Sequence, residues 1–195
     1  MGLCIEIFVG TEESLAAVIG SKDPGWLAWA ESLASAPETW DDGPGPAEAA
    51  TAVINGGPYN TEFAHTYLYA YKKMCEAQET QLPSNEFCPF AGDYLNDVDQ
   101  ALSAAGVSAV SMSTLMYGRR VSRPVSTLPF AVLPLHGAWS NELCIEAQAR
   151  WLARDQVAWM AAVPDTDLRW AAAVAMSWTA GAMAEPGTSV VAFCS

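Results

Sequence analysis

Basic residues are scarce in this sequence. Nine lysines and arginines stand against 22 acidic residues, and the formal net charge is −13. Up to Glu62 the only basic residue is Lys22, against ten acids. Because an acidic surface repels phosphate groups, we expect neither nucleic acids nor anionic membranes as partners.

Long hydrophobic runs and targeting segments are also missing. No stretch approaches the roughly 20 uninterrupted apolar residues that cross a bilayer. The alanine-rich run after Arg169 contains Ser177 and Thr179, so it is predicted to be a packed helix. The N-terminus has neither the basic region nor the apolar core of a signal peptide, and we therefore expect a cytoplasmic protein.

The small number of histidines and the absence of common motifs narrow the chemistry. Two histidines exclude histidine-rich metal sites and the His-Glu-x-x-His zinc motif. No Gly-x-Gly-x-x-Gly follows a predicted strand, and neither a phosphate-binding loop nor a Gly-x-Ser-x-Gly nucleophile elbow occurs. We therefore expect neither a metal nor a cofactor.

The cysteines show no disulfide or metal-binding pattern. Their number is odd, and no two of them are spaced as Cys-x-x-Cys. This set predicts buried, reduced thiols and no disulfide. The five are Cys4, Cys75, Cys88, Cys144 and Cys194.

Apolar periodicity predicts an α+β fold for a single domain over residues 1–195. Apolar side chains alternate from Leu3 to Val9, and a closing strand is predicted over 189–193. Between them the pattern is mostly helical, so we expect a small sheet in which the N- and C-terminal strands pair. An irregular, proline-rich arm is predicted over about 118–137.

The best-patterned helix follows Asn60. Its apolar residues fall within one sector, which predicts that they face the core. They are Phe63, Ala64, Tyr67, Leu68, Tyr71, Met74 and Cys75. The opposite side is expected to face solvent and carries His65, Tyr69, Lys72 and Glu76. His65 and Tyr69 form a candidate catalytic acid/base pair, and the alternative is that both are ordinary surface residues.

Three arginines form the one basic cluster of the sequence. Arg119, Arg120 and Arg123 follow Tyr117 and a glycine that permits close backbone approach. Guanidinium groups bind carboxylates, sulfates and phosphates, so these four residues are a candidate ligand-binding site for a small anion. The alternative is that the arginines pair with the protein's own acids.

The end of the arm holds another candidate. His136 lies just before a predicted helix and close to Trp139. The histidine would be a general acid or base, and the tryptophan would form an aromatic wall of the ligand site. The alternative is a structural histidine. Eight tryptophans in this length would also suit an aromatic-stacking or cationic ligand.

Asp93, Asp97 and Asp99 resemble a cluster of metal ligands. Capping is the favoured explanation, because Asp93 precedes a predicted helix as its N-cap. The other two are then expected to be solvated, and no metal site is predicted.

Short motifs along most of the chain are similar to those of one protein family. They are a Met-Gly start leading into a strand, Gly20-Ser-Lys-Asp23, Tyr69-Ala-Tyr71-x-x-Met-Cys75, Leu82-Pro-Ser-Asn85, Val98-Asp99-x-Ala-Leu102 and the Val190–Phe193 strand. In these the chain resembles an uncharacterised, actinobacterial-type family of bacterial proteins of unknown function, distantly similar to YfbM-like proteins. The resemblance implies a compact cytosolic α+β domain, and it brings no activity, cofactor or catalytic residue.

These features favour a small-molecule-binding protein or a cofactor-independent, non-redox tailoring enzyme of bacterial metabolism, alone or as one subunit of a two-protein enzyme. In this hypothesis the arginines hold an anionic group while His136 or His65 moves a proton. The alternative is a non-catalytic interaction module, an immunity or regulatory partner, whose acidic N-terminal third meets a basic protein target. A homodimer is compatible with either hypothesis.

Overall fold

The computed structural model describes residues 3–35, 43–90, 93–117, 127–129, 131 and 134–195. Within these ranges the chain forms an α+β domain of helices around one small sheet, as expected. The strands are β1 (Ile5–Thr11), β2 (Thr80–Leu82), β3 (Leu135–Trp139) and β4 (Thr188–Cys194). The helices are α1 (Glu12–Val18), α2 (Pro24–Ser32), α3 (Pro46–Asn55), α4 (Ala64–Gln78), α5 (Tyr94–Ala104), α6 (Met112–Tyr117), α7 (Asn141–Ala153), α8 (Gln156–Ala162) and α9 (Thr166–Met183).

The sheet is antiparallel, and its strand order is β2-β1-β4-β3. The predicted pairing of the terminal strands is confirmed, because β1 and β4 are the two central strands and pair from Ile5–Cys194 to Thr11–Thr188. Both faces of β4 are buried, which explains why its sequence is a continuous apolar run with little alternation.

Helices cover both faces of the sheet and create two cores. On one face, Phe8 and Phe193 pack against α1 to α4. On the other face, Ile7 and Ala192 pack against α5 to α9. The division follows from the period of two along a strand, since neighbouring residues point to opposite faces. Of the helices in the described ranges, none has the length and hydropathy needed to cross a bilayer.

For the central helix, α4, the predicted burial of the apolar stripe is confirmed, whereas the predicted exposure of Lys72 is wrong. Tyr67, Tyr71 and Met74 are buried, as the apolar stripe predicts. Lys72 was expected to face solvent, but only 11% of its side chain is exposed, and its Nζ lies 2.5 Å from Glu6 Oε1 on β1. The reason is that α4 packs on the face of the sheet to which Phe8 points, and Glu6 projects from β1 on that same face, so a side chain beside the apolar stripe reaches its carboxylate.

The predicted irregular arm over 118–137 is wrong at its C-terminal end. Leu135–Trp139 forms β3, an edge strand that pairs with β4. Gly137 makes this placement feasible, because a Cβ there would lie 1.8 Å from the Leu115 carbonyl oxygen of α6. Residues 118–126, 130, 132 and 133 of the arm lie outside the described residues.

The prediction of five reduced thiols is also wrong. Cys4 and Cys88 form a disulfide across 84 residues of sequence. Their neighbours bring them together, because the backbones of Leu3 and Phe90 exchange two hydrogen bonds of 3.1 and 2.9 Å. The spacing of the cysteines along the sequence gives no indication of that contact. The other three cysteines are buried free thiols, as predicted.

Candidate functional site

The two candidates at the end of the arm lie on opposite faces of the sheet. His136 faces Phe193, with the ring centroids 5.7 Å apart, whereas Trp139 is buried in the other core beside Trp178. The two residues are three positions apart on β3, and side chains an odd number of positions apart on a strand point to opposite faces of the sheet. His136 and Trp139 therefore do not line a common site.

His136 has an environment that suppresses its charge. Burial lowers the pKa of His136 to about 4, because the charged imidazolium loses its hydration. Its buried Nε2 has no hydrogen-bond partner among the described residues. The imidazole is therefore neutral at pH 7.

The other predicted residues are on separate elements or outside the described ranges. His65 and Tyr69 are half-buried residues of α4. Tyr117 ends α6, and its side chain is outside what the structure describes. The arginines of the predicted anion site also lie outside the described residues; they are Arg119, Arg120 and Arg123.

The aspartates that resemble a metal cluster have mainly structural surroundings. Asp99 was expected to be solvated, but it accepts hydrogen bonds from Ser111 Oγ at 2.8 Å and from the Ser113 N–H at 3.0 Å, and so caps the start of α6. Asp93 precedes α5, although its side chain makes no capping hydrogen bond. Across the described residues, no three potential metal ligands come together.

A cavity at one end of the sheet is a candidate site within the described residues. Its volume is about 450 Å³, which lies within the range of small-molecule sites. The walls come from the end of β1, the α4–β2 connection and the α9–β4 turn. Its polar lining includes Thr11, Ser14, Glu79, Glu185 and Thr188.

Glu79 and Glu185 are the two charged residues in the lining of this cavity, and Glu79 is the one that lies against the sheet. It follows the last turn of α4, where its N–H donates to the Cys75 carbonyl oxygen at 2.8 Å. Its carboxylate lies against the backbone of β1, since a Cβ on Gly10 would be 1.9 Å from Glu79 Oε2. The glycine therefore creates the space that the carboxylate occupies.

Burial raises the pKa of Glu79, and a hydrogen bond from Ser14 partly opposes that shift. Ser14 Oγ lies 2.9 Å from Glu79 Oε1 and 2.8 Å from the Thr11 carbonyl oxygen. One hydroxyl proton serves these two acceptors. When it points to Thr11, Glu79 makes a good hydrogen bond with Ser14 only as a protonated donor. The geometry therefore suits a carboxyl group that gains and loses a proton.

The charges around the cavity have one sign. Glu185 is exposed on the α9–β4 turn, and Thr188 Oγ1 donates to its carbonyl oxygen at 2.8 Å. In the described part of the chain, Glu79 has no lysine or arginine as an ion-pair partner. A neighbouring cavity of about 310 Å³ shares Thr11 and is lined by two further acids, Glu13 and Glu142. This end of the sheet therefore favours a cation.

Sequence reasoning missed this site although one signal was present. Gly10 directly follows the strand predicted over Leu3–Val9, and a glycine in a strand often marks the close approach of another group. The signal does not identify that group, because Glu79 is 69 positions away in the chain.

The chain belongs to the DUF7691 family, described as a domain of unknown function, whose model matches residues 1–195. No curated protein and no solved structure matches it. Membership of an uncharacterised family, expected from the motifs, is thereby confirmed. The family description names no ligand or reaction, so the cavity supplies the functional argument.

Proposed function

We propose that this DUF7691 protein binds a small molecule carrying a protonated amine in the cavity around Glu79. The observation that carries the proposal is the partly buried Glu79 carboxylate, which rests on Gly10 and has no basic partner in the described residues. An ammonium group in the cavity would replace the hydration that the carboxylate has lost.

The polar walls supply the rest of the recognition. Thr11, Ser14 and Thr188 add hydroxyl groups to the cavity lining, and Val9 and Leu82 add apolar contact. A small site with a few converging polar groups and an apolar wall is typical of specific ligand binding. The proposed ligand is therefore a short alkylamine with hydrogen-bonding groups near its nitrogen.

An enzymatic role would use the proton of Glu79. A carboxyl group whose pKa is raised by burial is suited to general acid/base catalysis, because its pKa moves toward the operating pH. It would accept a proton from the ligand or return one, without a cofactor. The catalytic roles predicted for His136, His65 and Tyr69 stay predictions.

The hypotheses based on other parts of the chain also stay predictions. An anionic ligand would use Arg119, Arg120 and Arg123. An interaction module would use the acidic N-terminal third, whose segment 36–42 lies outside the described residues. Bacterial origin, YfbM similarity and a cytoplasmic location are equally predictions. The Cys4–Cys88 disulfide makes the location worth testing by cell fractionation, because such bonds persist mainly in oxidising compartments.

The test is a nuclear magnetic resonance titration with n-butylammonium and, as the matched anion, n-butyrate. We expect the ammonium ion to shift the amide signals of Gly10, Ser14 and Thr80, and the butyrate to leave them unchanged. Glu79→Gln keeps the shape of the side chain and should weaken binding at least tenfold. Glu31→Gln removes the same charge from an exposed site on α2 and should bind as the wild type does.

Two results would overturn the proposal. One is equal binding of n-butylammonium by the wild type and Glu79→Gln. The other is an equal response of the cavity amides to n-butyrate. In either case the Glu79 carboxylate does not select the ligand.

A further inference from the structure

The outer face of α7 carries exposed apolar residues that the fold does not use. The inner face is fixed against α9, because Gln148 Nε2 donates to the Met176 carbonyl oxygen at 2.5 Å and to Thr179 Oγ1 at 2.9 Å. That anchor sets the rotation of the helix and turns Ile145 and Leu152 outward. Their exposed fractions are 48% and 77%.

The exposed apolar residues form a regular strip. Ile145, Ala149 and Leu152 follow one another at spacings of four and three, which places them on one side of the helix. The small residue in the middle permits close approach of another helix. This pattern is typical of a helix face that packs against another helix, yet all three residues are exposed.

Beside the strip, an acidic residue lies in the N-terminal half of the helix and a basic residue lies in the C-terminal half. Glu146 precedes the midpoint and Arg150 follows it, and both are exposed. Their spacing of four would allow an ion pair within the helix. In the described part of the chain neither of them forms one. Both charges are therefore available to a partner.

We propose that a second copy of this chain covers the outer face of α7, with the two α7 helices antiparallel about a two-fold axis. The axis would cross the outer face of the helix beside Ala149, at the level of the midpoint between Ile145 and Leu152 and of the midpoint between Glu146 and Arg150. Ile145 of each copy then meets Leu152 of the second copy, and Glu146 meets Arg150. A two-fold axis makes each contact twice, so this face is complementary to itself in shape and in charge.

The size of the surface sets the expected affinity. A helix of 13 residues is about 20 Å long, which is short of the area typical of permanent dimers. The net charge of each copy also opposes association, although ~0.15 M salt screens it beyond about 8 Å. We therefore expect a reversible dimer with a Kd on the order of 10–100 µM.

Sedimentation equilibrium between 5 and 500 µM in 0.15 M NaCl tests the proposal. The wild type should change from monomer to dimer across this range. Glu146→Arg places arginines opposite each other, and Arg150→Glu places glutamates opposite each other, so each variant should raise the Kd at least tenfold. Mixing the two variants restores opposite charges at every pair and should restore the dimer. Circular dichroism checks that these surface changes leave the fold intact.

Several outcomes would contradict the proposal. A monomer at every concentration would mean that a second copy is not the partner. Dimerisation that resists both charge reversals would place the interface elsewhere on the chain. A mixture of the two variants that associates no better than either alone would rule out the antiparallel pairing. None of these results bears on the cavity around Glu79.

Discussion

Gly10 and Gly137 offer the same substitution with different expected outcomes. Both lie in strands, and an alanine Cβ would overlap a neighbouring atom at each position. The distances are almost equal, at 1.9 Å from Glu79 Oε2 and 1.8 Å from the Leu115 carbonyl oxygen. Steric overlap by itself predicts equal damage. The obstructing atoms differ in how easily they can move, and that difference decides the outcome.

At Gly10 the obstructing atom is the end of a flexible side chain. In Gly10→Ala the Glu79 carboxylate can rotate out of the cavity, and it then loses the hydrogen bond from Ser14. We expect a loss of about 1 kcal/mol of unfolding free energy, reduced by the lower chain entropy of unfolded alanine. The pKa of Glu79 should return toward its ordinary value, because the carboxylate regains water.

At Gly137 the obstructing atom belongs to the backbone of α6. The Leu115 carbonyl oxygen cannot rotate away, so β3 and α6 must separate in Gly137→Ala. Displacement of a packed backbone costs about 3 kcal/mol or more. We therefore expect Gly137→Ala to be at least three times as destabilising as Gly10→Ala.

Urea denaturation followed by tryptophan fluorescence measures both losses. A pH titration of the Glu79 carboxyl carbon by nuclear magnetic resonance follows its pKa in the wild type and in Gly10→Ala. Equal losses for the two variants would refute the argument about flexible and backbone atoms. A Glu79 pKa that stays raised in Gly10→Ala would show that the carboxylate does not depend on the space above Gly10.

Three further predictions follow from the same structure. Because burial raises the pKa of Glu79 above its unfolded value, the folded state holds its proton longer, so stability should fall as pH rises from the ordinary glutamate pKa through the raised one. Glu79→Gln should remove this loss in urea titrations at successive pH values. Replacing Cys4 and Cys88 by serine frees an 84-residue loop and should cost about 4–5 kcal/mol by chain entropy. An unchanged urea midpoint would mean that the two cysteines are not bonded. Asp99→Ala removes the cap of α6 and should cost about 2 kcal/mol, whereas the exposed control Asp97→Ala should stay within 0.5 kcal/mol, roughly the effect of a surface change.

Local pattern predicted the parts of the fold that depend on neighbouring residues. The buried stripe of α4 and the two terminal strands follow from periods that a short window contains. Pairing of the terminal strands also followed, because two strands with buried faces in a mostly helical chain can satisfy their backbone hydrogen bonds with each other. These predictions needed no knowledge of distant contacts.

Predictions that depended on distant contacts failed or could not be made. Lys72 is polar and beside an apolar stripe, and only the position of β1 brings Glu6 to it. His136 and Trp139 looked adjacent because the segment was predicted as a loop, whereas a strand sends them to opposite faces. The Cys4–Cys88 bond depends on the Leu3–Phe90 bridge, which no spacing reveals.

The sequence by itself determined the fold class, the terminal strands, the core stripe of α4 and the acidic character of the surface. Those properties are set by composition and by periods of two and 3.6 residues. Tertiary structure alone decided which acid has a special environment. Glu79 is one of 22 acidic residues, and only the approach of the α4–β2 connection to Gly10 takes its carboxylate partly out of water. Desolvation depends on what surrounds a group in space, and the order of residues along the chain does not contain that information.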